Sequence, residues 1–248
     1  MPVRLLGLFA HPLDGSLLCG GTFARYACAG VETAIACAAD SEPPHALEAA
    51  RALGVRHLFL LGFDGGELAR LPAAALSAIL ADVIRGVEPQ VIVTASAELG
   101  GPGGAALSQA ASRAFLGLWH RSGGAGRPPV RLYQALTPQR QALALMPLLP
   151  HASTASPSLS LDPPAVLDSA VTAILDVRAQ TEAKLAAVRA LTGRPVRSID
   201  PADLDAIGHE FFRRAYPQPW VSGVLERELL GGLADRRDPS APGLRLAG

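Results

Sequence analysis

Residues 3–14 read Val-Arg-Leu-Leu-Gly-Leu-Phe-Ala-His-Pro-Leu-Asp, and this stretch decides the fold. The apolar run from Val3 to Ala10 has the pattern of a strand buried on both faces. His11-Pro12 ends the run, because proline has no amide to donate to a sheet. Outward from there, strand-like and helix-like segments alternate. Residues 17–29 read as a helix stopped at Gly30, and residues 33–38 as a second short apolar strand. Residues 44–53 form an alanine-rich helical stretch stopped by Gly54, and residues 55–61 return as strand. A helix over 72–87 opens with proline, residues 90–95 (Gln-Val-Ile-Val-Thr-Ala) are a fourth strand, and a helix follows over 105–119.

Four successive strand–helix units imply a parallel sheet with right-handed crossovers. The fold class expected is α/β, a Rossmann-like, mainly parallel sheet flanked by helices. In such sheets ligands sit beyond the carboxyl ends of the strands. Those ends fall at residues 11–14, 39–42, 62–66 and 98–104, so any site should be built from these four loops.

The second half is less regular. Residues 130–135 look like a strand, and 146–164, rich in Pro, Ser and Thr, like a long surface loop or lid. A strand over 171–177 and a helix over 178–191 follow, then a last helix over 201–216 before the turn-like Pro217-Gln218-Pro219-Trp220. Residues 236–248 read as a flexible tail. No internal repeat is visible, and a single domain over 1–248 is expected.

Composition narrows the function classes. At 248 residues with 49% hydrophobic and 18% charged side chains, the chain reads as a soluble globular protein. Its 22 basic residues balance 22 acidic ones, which gives no electrostatic case for nucleic acid or an anionic membrane. The apolar run at the start is too short for a signal sequence, and no stretch is long enough to cross a bilayer. Cys19, Cys28 and Cys37 are odd in number, without a Cys-x-x-Cys pair, and read as small apolar core residues in a reducing cytoplasm.

Ala10-His11-Pro12-Leu13-Asp14, followed by Cys19-Gly20-Gly21-Thr22, resembles the first signature of the LmbE/PIG-L family of zinc-dependent N-deacetylases. There a strand ends in Ala-His-Pro-Asp-Asp and the next helix carries Gly-Gly-Thr. Further similarities follow in order: Ala52-Leu53-Gly54-Val55, Leu61-Gly62-Phe63 with Asp64 nearby, Glu88-Pro89-Gln90-Val91-Ile92-Val93, and the helix after Pro102. Residues 171–190 with Lys184, and Glu210-Phe211-Phe212-Arg213-Arg214, resemble C-terminal family segments. The resemblance implies a hydrolase that removes an acetyl group from an N-acetylated amino sugar or related amide. It implies a zinc held by the His and second Asp of the first motif and by a His of a later Gly-His-Pro-Asp-His motif. A catalytic zinc needs three protein ligands and an open position.

Set against that pattern, His11 and Asp14 match two metal positions. The first Asp, the family's general base, is Leu13, which cannot accept a proton. The second motif aligns with Gly100-Gly101-Pro102-Gly103-Gly104, so both histidines and the acid between them are glycine. The family's Thr-Arg-Gly-Glu turn reads Ala39-Asp40-Ser41-Glu42, without the arginine. The family's C-terminal histidine falls at about Leu191, and a nearby glutamine at Arg194.

The expectation is therefore a catalytically inactive relative that binds a ligand or a protein partner, with no confident catalytic residue. His11 and Asp14 are vestigial metal positions that hydrogen-bond each other or the loop backbone. No cofactor is expected, and zinc enters only if another side chain supplies a third ligand. His45 and His151 lie where a replacement ligand would have to come from. His57 falls on the wrong edge, His120 faces away and His209 sits in the last helix. Asp40 and Glu42 offer oxygen ligands for a weaker site, and Asp64 more often caps a turn than binds substrate. Gly101, Gly103 and Gly104, with Asp40 and Asp64, are the candidate ligand-binding residues. Bare amides where a strand gives way to a helix attract anions. The alternatives are an active N-deacetylase with a rebuilt metal site, and a metal-free binder of a phosphorylated or carboxylated small molecule at the glycine loop. A homo-oligomer is compatible with each, and neither nucleic acid nor membrane is an expected partner.

Overall fold

The computed structural model describes residues 3–39, 42–99, 101–120, 130–138, 141, 168–193, 207–219 and 224–233. The expected surface loop at 146–164, the tail at 236–248 and the residues Asp40, Gly100, His151 and Arg194 lie outside them.

The run at the start is strand β1 (Arg4–Phe9), followed by α1 (Pro12–Cys28), β2 (Glu32–Ala39), α2 (Pro43–Ala52) and β3 (His57–Phe63). Then come α3 (Gly65–Arg70), α4 (Ala73–Val87), β4 (Val91–Ala95), α5 (Pro102–His120) and β5 (Arg131–Leu136). The described C-terminal part supplies β6 (Ala173–Asp176), α6 (Thr181–Thr192) and β7 (His209–Tyr216). The seven strands run β3-β2-β1-β4-β5-β7-β6 across one sheet. The five strands from β3 across to β5 are parallel, and β7 is antiparallel to both β5 and β6. The alternation read from the sequence thus becomes the parallel sheet expected of it.

Period-two alternation splits the core into two layers. Leu5 and Phe9 of β1 face one layer with Cys19 and Phe23 of α1, Leu53 beyond α2 and Ala187 of α6. Leu6 and Leu8 face the other, with Leu68 of α3, Leu76 and Leu80 of α4, and Leu107 and Phe115 of α5. The strand order reverses between β1 and β4, so the crevice where ligands bind in such sheets opens beyond the ends of those two strands.

Three expectations are corrected. Residues 209–216 are not helix but strand β7, since Phe212 is sealed in the core edge-to-face with Tyr133 at 6.5 Å, and Glu210 is sealed too. Residues 11–14 are not a loop, because α1 starts at Pro12 with His11 as its N-cap. Of the three cysteines, Cys19 and Cys37 are buried but Cys28, the last residue of α1, is exposed.

Candidate functional site

The polypeptide leaves β1 and turns into α1 within two residues. A helix begins with amides that lack intrahelical partners. Here the backbone amide of Leu13 donates to Nδ1 of His11 at 3.1 Å, and the amide of His11 donates to Oδ2 of Asp14, also at 3.1 Å. Together these form a reciprocal capping box, with Pro12 in the first helical position, where its missing amide costs nothing. Asp14 is 2% exposed. Burial pushes the His11 ring down to about 4, so it is neutral at pH 7. In this cap the Nδ1 of His11 is occupied by the Leu13 amide.

Leu13 points into apolar surroundings. It forms a buried cluster with Leu17 of the same helix and Val188 of α6, and Leu191 packs against that cluster. The resemblance would put a base at position 13 and a histidine at about position 191. The structure brings the two together as hydrocarbon.

On the β4 side of the crevice, Gly103 and Gly104 lie in the first turn of α5, and the amide of Ala105 donates to the carbonyl of Gly101 at 2.9 Å. Neighbouring polar groups form their own network. Ser96 donates to Glu98, and Arg213 of β7 reaches Glu98 at 3.1 Å and Gln134 of β5 at 3.0 Å. Asp64 caps α3, accepting from the amides of Gly66 and Glu67, while Glu67 answers to the Asp64 amide. It is therefore spent on a turn.

The histidines with described positions do not gather at the crevice. His45 pairs with Glu42 at 3.3 Å on the exposed start of α2. His57 pairs with Glu32 at 3.0 Å at the opposite end of the sheet. His120 ends α5 and is exposed, and His209 is the first residue of β7, not part of a helix. Among the described residues no group of three or more His, Cys, Asp or Glu side chains is placed to hold a metal ion. The family's zinc does not fit the described residues: two positions remain of three, and both are engaged in the helix cap.

Sequence reasoning missed the strongest polar feature nearby. Lys184 of α6 and Glu210 of β7 form an ion pair at 2.8 Å, with side chains 1% and 0% exposed. The same carboxylate accepts from the amides of Gly21 at 2.9 Å and Thr22 at 2.7 Å, in the middle of α1. The signal was the Gly-Gly-Thr run itself, whose glycines admit a side chain from a distant strand.

The His11-Pro12-Leu13-Asp14 segment thus starts α1 at the crevice of a mainly parallel sheet, the place on which the resemblance to N-deacetylases rests. Comparison with known proteins agrees. Residues 6–115 match the family model described as PIG-L: GlcNAc-PI de-N-acetylase. The chain is 30% identical over 234 residues to the 1D-myo-inositol 2-acetamido-2-deoxy-alpha-D-glucopyranoside deacetylase of Thermomonospora curvata, spanning 75% of this chain and 79% of that protein. The protein of the same name from Kineococcus radiotolerans is 28% identical over 257 residues, 81% of this chain and 71% of that one. Among solved structures, a conserved protein from Thermus thermophilus superposes with a TM-score of 0.62 at 23% identity, covering 88% of this chain and 97% of that one, and so shares the fold. This chain belongs to the PIG-L family.

Proposed function

We propose that this family member does not carry out zinc-dependent deacetylation and serves instead as a cytoplasmic ligand- or partner-binding relative. The observation that carries this reading is Leu13. A general base must hold a lone pair toward the reacting water, and this position is filled by a side chain 2% exposed, packed among Leu17, Val188 and Leu191. Glycines at 101 and 104 supply neither the third ligand nor a group to stabilise a tetrahedral intermediate. The cytoplasmic setting rests on three free cysteines.

A second reading is favoured by the names of the relatives: a deacetylase acting on an N-acetylglucosaminyl inositol through a rebuilt metal site. A third, an anionic small molecule at the start of α5, has the bare glycine amides in its favour.

The test is elemental analysis of untagged protein equilibrated with zinc, run beside an assay of acetate release from an N-acetylglucosaminyl inositol. No bound zinc and no acetate release is the expected result. About one zinc per chain with acetate release would overturn the proposal and restore the deacetylase.

A further inference from the structure

His11, Asp14, Gly20, Gly21 and Thr22 carry the resemblance to the family, and each meets a need of helix α1 itself. At the front, His11 and Asp14 exchange hydrogen bonds with backbone amides and close the first turn. Further along, the Gly21 and Thr22 amides lie within 2.9 Å and 2.7 Å of the two oxygens of Glu210, which Lys184 neutralises. The glycines make room for that approach. A Cβ on Gly21 would lie 2.5 Å from Cγ2 of Val177 and 3.2 Å from Oε1 of Glu210, and one on Gly20 would lie 3.2 Å from Cγ of Lys184.

We infer that in this chain the family signature works for the backbone of α1 and not for a ligand. His11 and Asp14 are an N-terminal capping box, and Gly20-Gly21-Thr22 is the seat of the buried Lys184–Glu210 pair. The disagreement with the family's metal site thus has a physical content. Residues that hold zinc elsewhere persist here because the first turn of α1 depends on them. This stands independently of whether the chain turns over a substrate.

The experiment is thermal unfolding of the full chain, with and without added zinc, for the wild type and for His11→Ala, His11→Asn, Asp14→Ala and Asp14→Asn. Asparagine keeps an oxygen that accepts the amide, so both Asn variants should stay within roughly 1–2 °C of the wild type, while the Ala variants fall by roughly 2–6 °C. Zinc should move none of them. A zinc-induced rise in the wild type that vanishes in His11→Asn overturns the inference, as do Ala variants no less stable than the Asn ones. If His11→Ala does not fold, Asp14→Ala and the two Asn variants still decide it. For the second half, amide hydrogen exchange at Gly21 and Thr22 should be slow in the wild type and at least tenfold faster in Glu210→Ala; unchanged exchange would overturn that part. Acetate release with this pattern intact would sink the functional proposal alone. Zinc binding without acetate release would sink the inference alone.

Discussion

Leu13, in the first turn of α1, and Val188, in the second half of α6, belong to one buried apolar cluster together with Leu17. In this family the start of the first helix carries catalytic groups. Here it packs against a helix from the far end of the chain, so position 13 has a packing role.

The first prediction follows from that contact. Leu13→Asp places a carboxylate among hydrocarbon and should lower stability by about 2–4 kcal/mol, measured by urea unfolding at pH 7. Leu13→Ala should cost about 2–3 kcal/mol through the burial it loses and the cavity it leaves. Adding Leu191→His to Leu13→Asp should recover part of the loss by giving the carboxylate a partner. A Leu13→Asp protein as stable as the wild type would show that position 13 is open to water.

The Lys184–Glu210 pair supports a second. Removing one member of a buried pair leaves the other charge uncompensated, so Lys184→Met should cost about 3–5 kcal/mol in equilibrium unfolding. Combining it with Glu210→Gln should regain most of this, because a neutral amide still accepts a backbone hydrogen bond and needs no counter-ion. If the double variant is less stable than Lys184→Met, electrostatic compensation is not the pair's role.

The alternating first half of the chain was legible because its strands are apolar runs and α1, α2, α4 and α5 begin at or just after a proline; α3, which has no such signal, was not read. Strand β7 was not. His-Glu-Phe-Phe-Arg-Arg-Ala-Tyr contains good helix formers and no breaker, and only its neighbours Tyr133 of β5 and Lys184 of α6 make the extended form favourable. The capping role of His11 was half legible, since hydrogen bonding to Asp14 or the backbone follows from the residue types but the helix start does not. That position 13 holds a leucine could be read from the sequence; its packing partner, 175 positions away at Val188, could not.

Glycine substitutions give a third prediction with opposite signs in two helices. Gly21→Ala drives a methyl into Val177 and toward Glu210, and should destabilise by about 1–3 kcal/mol. Gly86, exposed in α4, has a negative-φ helical backbone and open space where a methyl would stand, with nothing within 4 Å. Gly86→Ala should therefore stabilise by about 0.5–1 kcal/mol. Equal effects at the two sites would mean that the Gly21 seat is not tight.

The fourth concerns acid. At the amino-terminal edge of the sheet, Glu32 is held by His57 at 3.0 Å and by Arg4 at 3.1 Å. The hydrogen bond with His57, and then that with Arg4, lower its carboxyl below the ordinary glutamate value of 4.5. A carboxylate with a depressed folded value binds fewer protons folded than unfolded, so its contribution is complete above that ordinary value and disappears as the pH falls through the folded one. The stability gap between the wild type and Glu32→Gln should accordingly be larger at pH 5 than at pH 3, with urea unfolding at both pH values as the measurement. A gap that stays constant would assign the effect to lost hydrogen bonds that the amide cannot replace, and would remove Glu32 from the acid-sensitive groups of this fold.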